Sequence, residues 1–105
     1  MRNTAALANL GIAIFALTIL PASADNTYPP EYRQVYLEDC MTTSMKEGLA
    51  EPEAQKLCDC TLAEFQKQYS VEEFEELNAK AQTDQNSANA LIEVGELCFE
   101  SILYE

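Results

Sequence analysis

Residues 52–74 read PEAQKLCDCTLAEFQKQYSVEEF, and this stretch decides the fold. Ala54, Cys58, Leu62, Phe65 and Tyr69 recur every three or four positions, the spacing that puts side chains on one face of a helix. Pro52 suits a first helical turn, and Glu51 and Glu53 complement the positive end of the helix dipole, so the pattern predicts a helix over 52–68. Ser70 and Glu73 then form a capping box, with Tyr69 and Phe74 at the positions of a hydrophobic staple. A shorter helix must start there, with Val71, Phe74, Leu77 and Ala81 inward.

The same spacing extends in both directions. Upstream, Tyr32, Tyr36, Cys40, Met41, Ser44 and Met45 predict a helix over 31–47, and Gly48 is its natural stop, because glycine takes the left-handed conformation without penalty. Residues 25–30 are expected to be an extended tail, since Tyr28-Pro29-Pro30 disfavours helix and offers little to bury. Downstream, residues 83–87 form a polar link with several candidate caps. The last helix carries Ala88, Leu91, Val94, Cys98 and Ile102 on one side. Gly95 on that helix has two readings, a point of close helix approach or a tolerated glycine. No strand pattern competes. The expected fold is all-α, a small disulfide-stapled bundle of four short helices forming a single domain over 31–105.

The N-terminus has the layout of an export signal. Arg2 supplies a positive charge, residues 5–20 are almost unbroken apolar sequence, Pro21 ends the run, and Ala22-Ser23-Ala24 puts small residues where a signal peptidase reads. Cleavage after Ala24 is expected, making residues 1–24 a signal peptide. The apolar stretch falls short of the ~20 residues that span a bilayer. Residues 1–24 contain no cysteine to carry a lipid anchor, so no membrane attachment is expected after cleavage. The product would be exported, to a periplasm, the outside or another oxidising lumen. The chain has 18 acidic against 6 basic residues, a net charge of −12, and cleavage removes Arg2 from the basic side. Such a surface repels nucleic acids and anionic lipids.

Four cysteines remain, Cys40, Cys58, Cys60 and Cys98. In an oxidising compartment they are expected to form two disulfides. Residues two apart on a helix project about 200° apart, so Cys58 and Cys60 face different neighbours and tie their helix to two others. Cys58 lies on the apolar stripe, whereas Cys60 shares a flank with Glu53, Leu57, Glu64 and Lys67. Both pairings stay open; the preferred one joins Cys40 to Cys60 and Cys58 to Cys98. A four-thiolate metal site fits poorly, because structural zinc sites favour wider cysteine spacing and the chain has no histidine. No cofactor is expected.

An aromatic-rich first helix with Tyr36 and Cys40, then Ala54, Cys58 and Cys60, then Tyr69, Ser70, Glu72 and Glu73 make up a recurring arrangement. Over roughly residues 32–98 the chain resembles a loose group of small exported, uncharacterised bacterial helical proteins with a C…CxC…C disulfide pattern. The resemblance implies a periplasmic or secreted helical domain and brings no catalytic residue with it.

Glu72, Glu73, Glu75 and Glu76 are a candidate partner surface for a cation or a basic protein, weighed against a plain solvated face that suits the helix dipole. Nothing in the sequence places a general acid and base together, and residues 83–87 lack the spacing of a calcium loop. The expected function is therefore that of a non-enzymatic, acidic interaction or structural accessory module whose partner is a protein. Two alternatives are a periplasmic stress chaperone opening at acid pH and a thiol-disulfide exchange factor using Cys58 and Cys60. The exported protein should begin at Asp25, which intact-mass measurement decides; a retained Met1 would contradict the signal-peptide reading.

Overall fold

The structure, a computed structural model, describes residues 26–104. The expected signal segment and its cleavage site lie outside the described residues. Four helices and no strand occur among those residues: α1 (Pro30–Lys46), α2 (Glu51–Gln68), α3 (Val71–Lys80) and α4 (Gln85–Leu103). The fold is all-α, as the periodicity implies.

Each boundary has a local cause. Gly48 has φ 109°, and it ends α1 through two hydrogen bonds: Leu49 N donates to Ser44 O and Gly48 N to Met45 O, both at 3.1 Å. This is the Schellman closure, which satisfies carbonyls that the helix itself leaves unpaired. At the start of α3, Ser70 Oγ accepts from Glu73 N at 3.1 Å and Glu73 Oε1 accepts from Ser70 N at 2.8 Å, so the capping box is complete. The last helix starts earlier than expected. Asp84 accepts from Ser87 N at 3.0 Å and from Ser87 Oγ at 2.7 Å, and this cap draws residues 85–87 into α4. The Ser87 hydroxyl, followed by its amide, holds the Asp84 carboxyl below its ordinary pKa.

α2 is the central element: α1 and α4 pack against it, and α3 packs against α4. The core cluster is Tyr28, Leu62, Phe65, Phe74, Val94 and Cys98. Phe65 and Phe74 form its closest ring pair, with centroids 4.5 Å apart. The staple residues Tyr69 and Phe74 both meet Phe65, Tyr69 at 6.4 Å. Tyr36 lays its ring edge against both phenylalanines, at 6.3 and 5.9 Å. α1 itself has no fully buried residue. Met45 sits nine residues beyond Tyr36, half a turn round the helix, and is exposed. Gly95 is the tolerated kind: a Cβ there would meet nothing within 4 Å.

The N-terminal segment departs from expectation. Residues 26–29 are extended, but they are no free tail, because Tyr28 is only 1% exposed and belongs to the core. The cause is the C-terminal end of α2, where carbonyls run out of intrahelical amides. Asn26 donates to Gln66 O through its backbone N at 2.8 Å and its Nδ2 at 3.0 Å. Tyr28 N donates to Gln66 Oε1 at 2.8 Å. The Tyr28 hydroxyl is shared between Phe65 O and Tyr69 O, 3.0 Å from each. One tyrosine thus fills the core with its ring and closes a helix end with its oxygen.

Burial above all, then the neighbouring Tyr32 and Glu73, pushes the Tyr28 phenol up to about 12. The folded state therefore holds the proton more tightly than the unfolded chain. The resulting stability is complete below the ordinary phenol range near pH ~10 and is lost as pH rises toward about 12. Tyr28→Phe leaves Tyr69 O short of a partner and should cost about 1–3 kcal/mol at neutral pH. Denaturant titrations at stepped alkaline pH should show a steeper loss in the parent than in Tyr28→Phe. Parallel slopes would mean that Tyr28 does not carry the linkage.

Candidate interaction surface and its disulfide staple

The cysteines pair as Cys40–Cys58 and Cys60–Cys98, with Cα–Cα distances of 5.8 and 5.7 Å. This is the reverse of the preferred pairing. Cys58 and Cys60 do reach different helices, but the Cys58 position of the α2 stripe turns toward α1 rather than α4. The register shows why. Tyr36 Oη and Thr61 Oγ1 are hydrogen bonded at 2.6 Å, and four residues further along α1 Cys40 meets Cys58, three residues back along α2. Ser44 Oγ, one more turn along, lies 3.8 Å from Cys58 Sγ. Ala54, Cys58 and Thr61 are buried along this seam, leaving the flank of Cys60 for Cys98. Tyr36 of α1 and the N-terminal Tyr28 both meet Phe65 of the stripe.

Among the described residues no cysteine is free. Cys58 and Cys98 are fully buried, and Cys40 and Cys60 are half-buried. Cys58 and Cys60 are thus held in separate bridges on one helix.

The four α3 glutamates are all exposed and differ in their local partners. Glu73 is taken up by the capping box, and Glu76 pairs with Lys80 at 2.9 Å, raising the lysine pKa through that hydrogen bond. Glu72 and Glu75 remain exposed. No group of three or more acidic or cysteine side chains suited to a metal ion occurs among the described residues.

The feature that sequence reasoning missed is an open groove of about 890 Å³ between α1 and α4, with α2 as its floor. Leu57, Thr61 and Phe65 form the floor, Tyr36 and Cys40 the α1 wall, and Ile92, Gly95, Phe99 and Leu103 lie along the α4 wall. Glu93, Glu96 and Glu100 line the same groove, and no lysine or arginine does among the described residues. The signal was present in α4: alongside the inward Leu91, Val94 and Cys98, it carries Ile92, Phe99 and Leu103 on a second face. A helix apolar on more than one side needs more than one neighbour.

Comparison with known proteins adds no relative. No family model, curated protein or solved structure matches the chain. A smaller groove of about 500 Å³ lies across α1, between Tyr32, Val35, Tyr36 and Asp39 on one side and Phe74 and Asn78 of α3 on the other. Tyr36 and Cys40 wall both grooves.

Cleavage before Asp59 separates Cys58 from Cys60, so peptide mapping of the non-reduced protein can read the pairing directly. It should link Cys40 to Cys58 and Cys60 to Cys98. By chain entropy, closing loops of 18 and 38 residues stabilises the fold by about 3 and about 4 kcal/mol. Reduction should therefore abolish cooperative unfolding or move it to much lower temperature; an unchanged melt would show that the bridges are dispensable.

Proposed function

We propose that the chain is an exported, non-enzymatic interaction module that docks a protein partner on a disulfide-fixed helical face. The observation that carries this reading is the open apolar groove along α1, α2 and α4, whose two α2-centred bridges fix all three walls. A concave apolar centre rimmed by charge is the anatomy of an association site. The bridges point to an oxidising compartment. The signal-like N-terminus and the resemblance to small exported helical proteins support export to a periplasm or beyond the cell. The net charge of −12 favours a basic partner over nucleic acid or anionic membrane. The separate bridging of Cys58 and Cys60 favours structural use of the cysteines over thiol-disulfide exchange.

Photo-crosslinking residues placed singly at the groove-lining Val35, Thr43 and Phe99 of the exported full chain test the reading. A discrete protein adduct from at least one position is expected, together with insulin reduction no faster than background. No adduct from any position would remove the module reading, and catalysed insulin reduction would replace it with thiol exchange.

A further inference from the structure

Resting on the interaction-module reading, we propose that the groove between α1 and α4 receives one amphipathic helix of the partner, its apolar stripe flanked by lysine or arginine. The first support is shape. Leu57, Thr61 and Phe65 follow one another at helical spacing along the floor, and Ile92, Gly95, Phe99 and Leu103 do so along the α4 wall. The wall from Ile92 to Leu103 is about 16 Å long at a helical rise of ~1.5 Å per residue, enough for about three turns of a guest. Ile92, Phe99 and Leu103 are 51%, 42% and 62% exposed, so the wall lacks a covering partner among the described residues. Gly95 sits mid-wall with no atom within 4 Å of where a Cβ would be, leaving room for a guest side chain or backbone. This is the geometry of helix-in-groove recognition, in which residues three or four apart anchor the guest.

The second support is charge. Glu93, Glu96 and Glu100 follow the same wall at spacings of three and four, and no basic residue lines the groove among the described residues. The complement of an apolar trough with an acidic edge is an apolar stripe with a basic edge. The same argument disfavours the other occupants. A second copy would bring an equally acidic groove edge and a net charge of −12 against this one. The chain's own residues 5–20 contain no lysine or arginine to meet the three glutamates.

Three labelled synthetic helical peptides of about 14 residues, about one turn longer than the wall, provide the probe. The first is a leucine–lysine peptide with one apolar stripe, the second has the same composition scrambled so that no stripe forms, and the third has glutamate in place of lysine. Fluorescence anisotropy is measured against the oxidised protein produced from the full chain. The striped leucine–lysine peptide should bind at least about tenfold more tightly than either control. Ile92→Ser with Phe99→Ser should weaken it by about tenfold or more; both positions are substantially exposed, and an unchanged melting profile verifies the fold. Replacing Glu93, Glu96 and Glu100 by glutamine should weaken binding and flatten its dependence on salt.

Equal binding of the scrambled peptide, or no effect of the Ile92 and Phe99 substitutions, would reduce the interaction to charge attraction and overturn the proposal. So would a dimer by sedimentation that the same substitutions dissolve, or displacement of the striped peptide by one spanning residues 5–20. A crosslinked partner that the Ile92→Ser, Phe99→Ser protein still captures, with no peptide binding, would overturn the groove assignment and leave the module reading intact. Loss of both crosslinking and peptide binding would overturn both.

Discussion

Two covalent bridges leave α2 in different directions, one from Cys58 to α1 and one from Cys60 to α4, and the rest of the structure is arranged around that constraint. With one residue between them, their attachment points are separated by about 200° of helix rotation, so the flanking helices cannot share a side of α2. Small domains bury too little surface to be stable through their core alone. Among the described residues the buried hydrophobic set is Tyr28, Ala54, Cys58, Leu62, Phe65, Phe74, Val94 and Cys98, and two of its members are bridge cysteines. Bridges contributing about 3 and about 4 kcal/mol stand on the same scale as the total stability of a domain, about 5–15 kcal/mol. With the backbone fixed in this way, α1 and α4 need not meet each other, and the space between them stays open.

The aromatic cluster works within that frame. Phe65 belongs to α2 and Phe74 to α3, yet their rings are the closest pair in the cluster, and Tyr28, Tyr32 and Tyr36 close around Phe74 at 5.9 to 6.4 Å. Tyrosine suits this position because its ring packs while its oxygen finds a partner. Tyr36 bonds to Thr61 along the α1–α2 seam, and Tyr28 bonds to the carbonyls at the end of α2. Arg33 reaches back through Nε to Tyr28 O at 3.0 Å, locking the extended segment against α1 as well. Residues 26–29 therefore act as a strap across the helix end.

What could be read from sequence was local, and what could not was relational. Gly48, Ser70 and Glu73 act on their immediate neighbours, so their consequences follow from a few residues of context. The pairing of the cysteines depends on the rotation of α2 relative to two other helices, and the stripe of Ala54, Cys58, Leu62, Phe65 and Tyr69 is compatible with either. Tyr28 escapes a composition argument, which counts apolar groups, whereas its placement depends on carbonyl oxygens 37 and 41 residues away. The glutamates at 72–76 stood out as a cluster, but two of them serve α3 itself. The acidic residues that border a cavity, Glu93, Glu96 and Glu100, are dispersed in sequence and gather only through the helical repeat.

An exposed apolar groove on a small protein carries a hazard, since two copies can bury it against each other. Here the same helix supplies the remedy. Glu93, Glu96 and Glu100 lie within the groove lining, so a second copy cannot approach its apolar wall without bringing like charges together, and the net charge of −12 opposes the encounter from further away. In the proposed docking mode, repulsion of this kind disfavours a self-partner and favours a basic one, which is how specificity arises from an unfavourable contact as much as from a favourable one. In that proposal the acidic excess and the open groove are two parts of one arrangement: the groove provides contact area, and the charge selects its occupant. Salt would weaken both effects together, so selectivity should be sharpest where ionic strength is low.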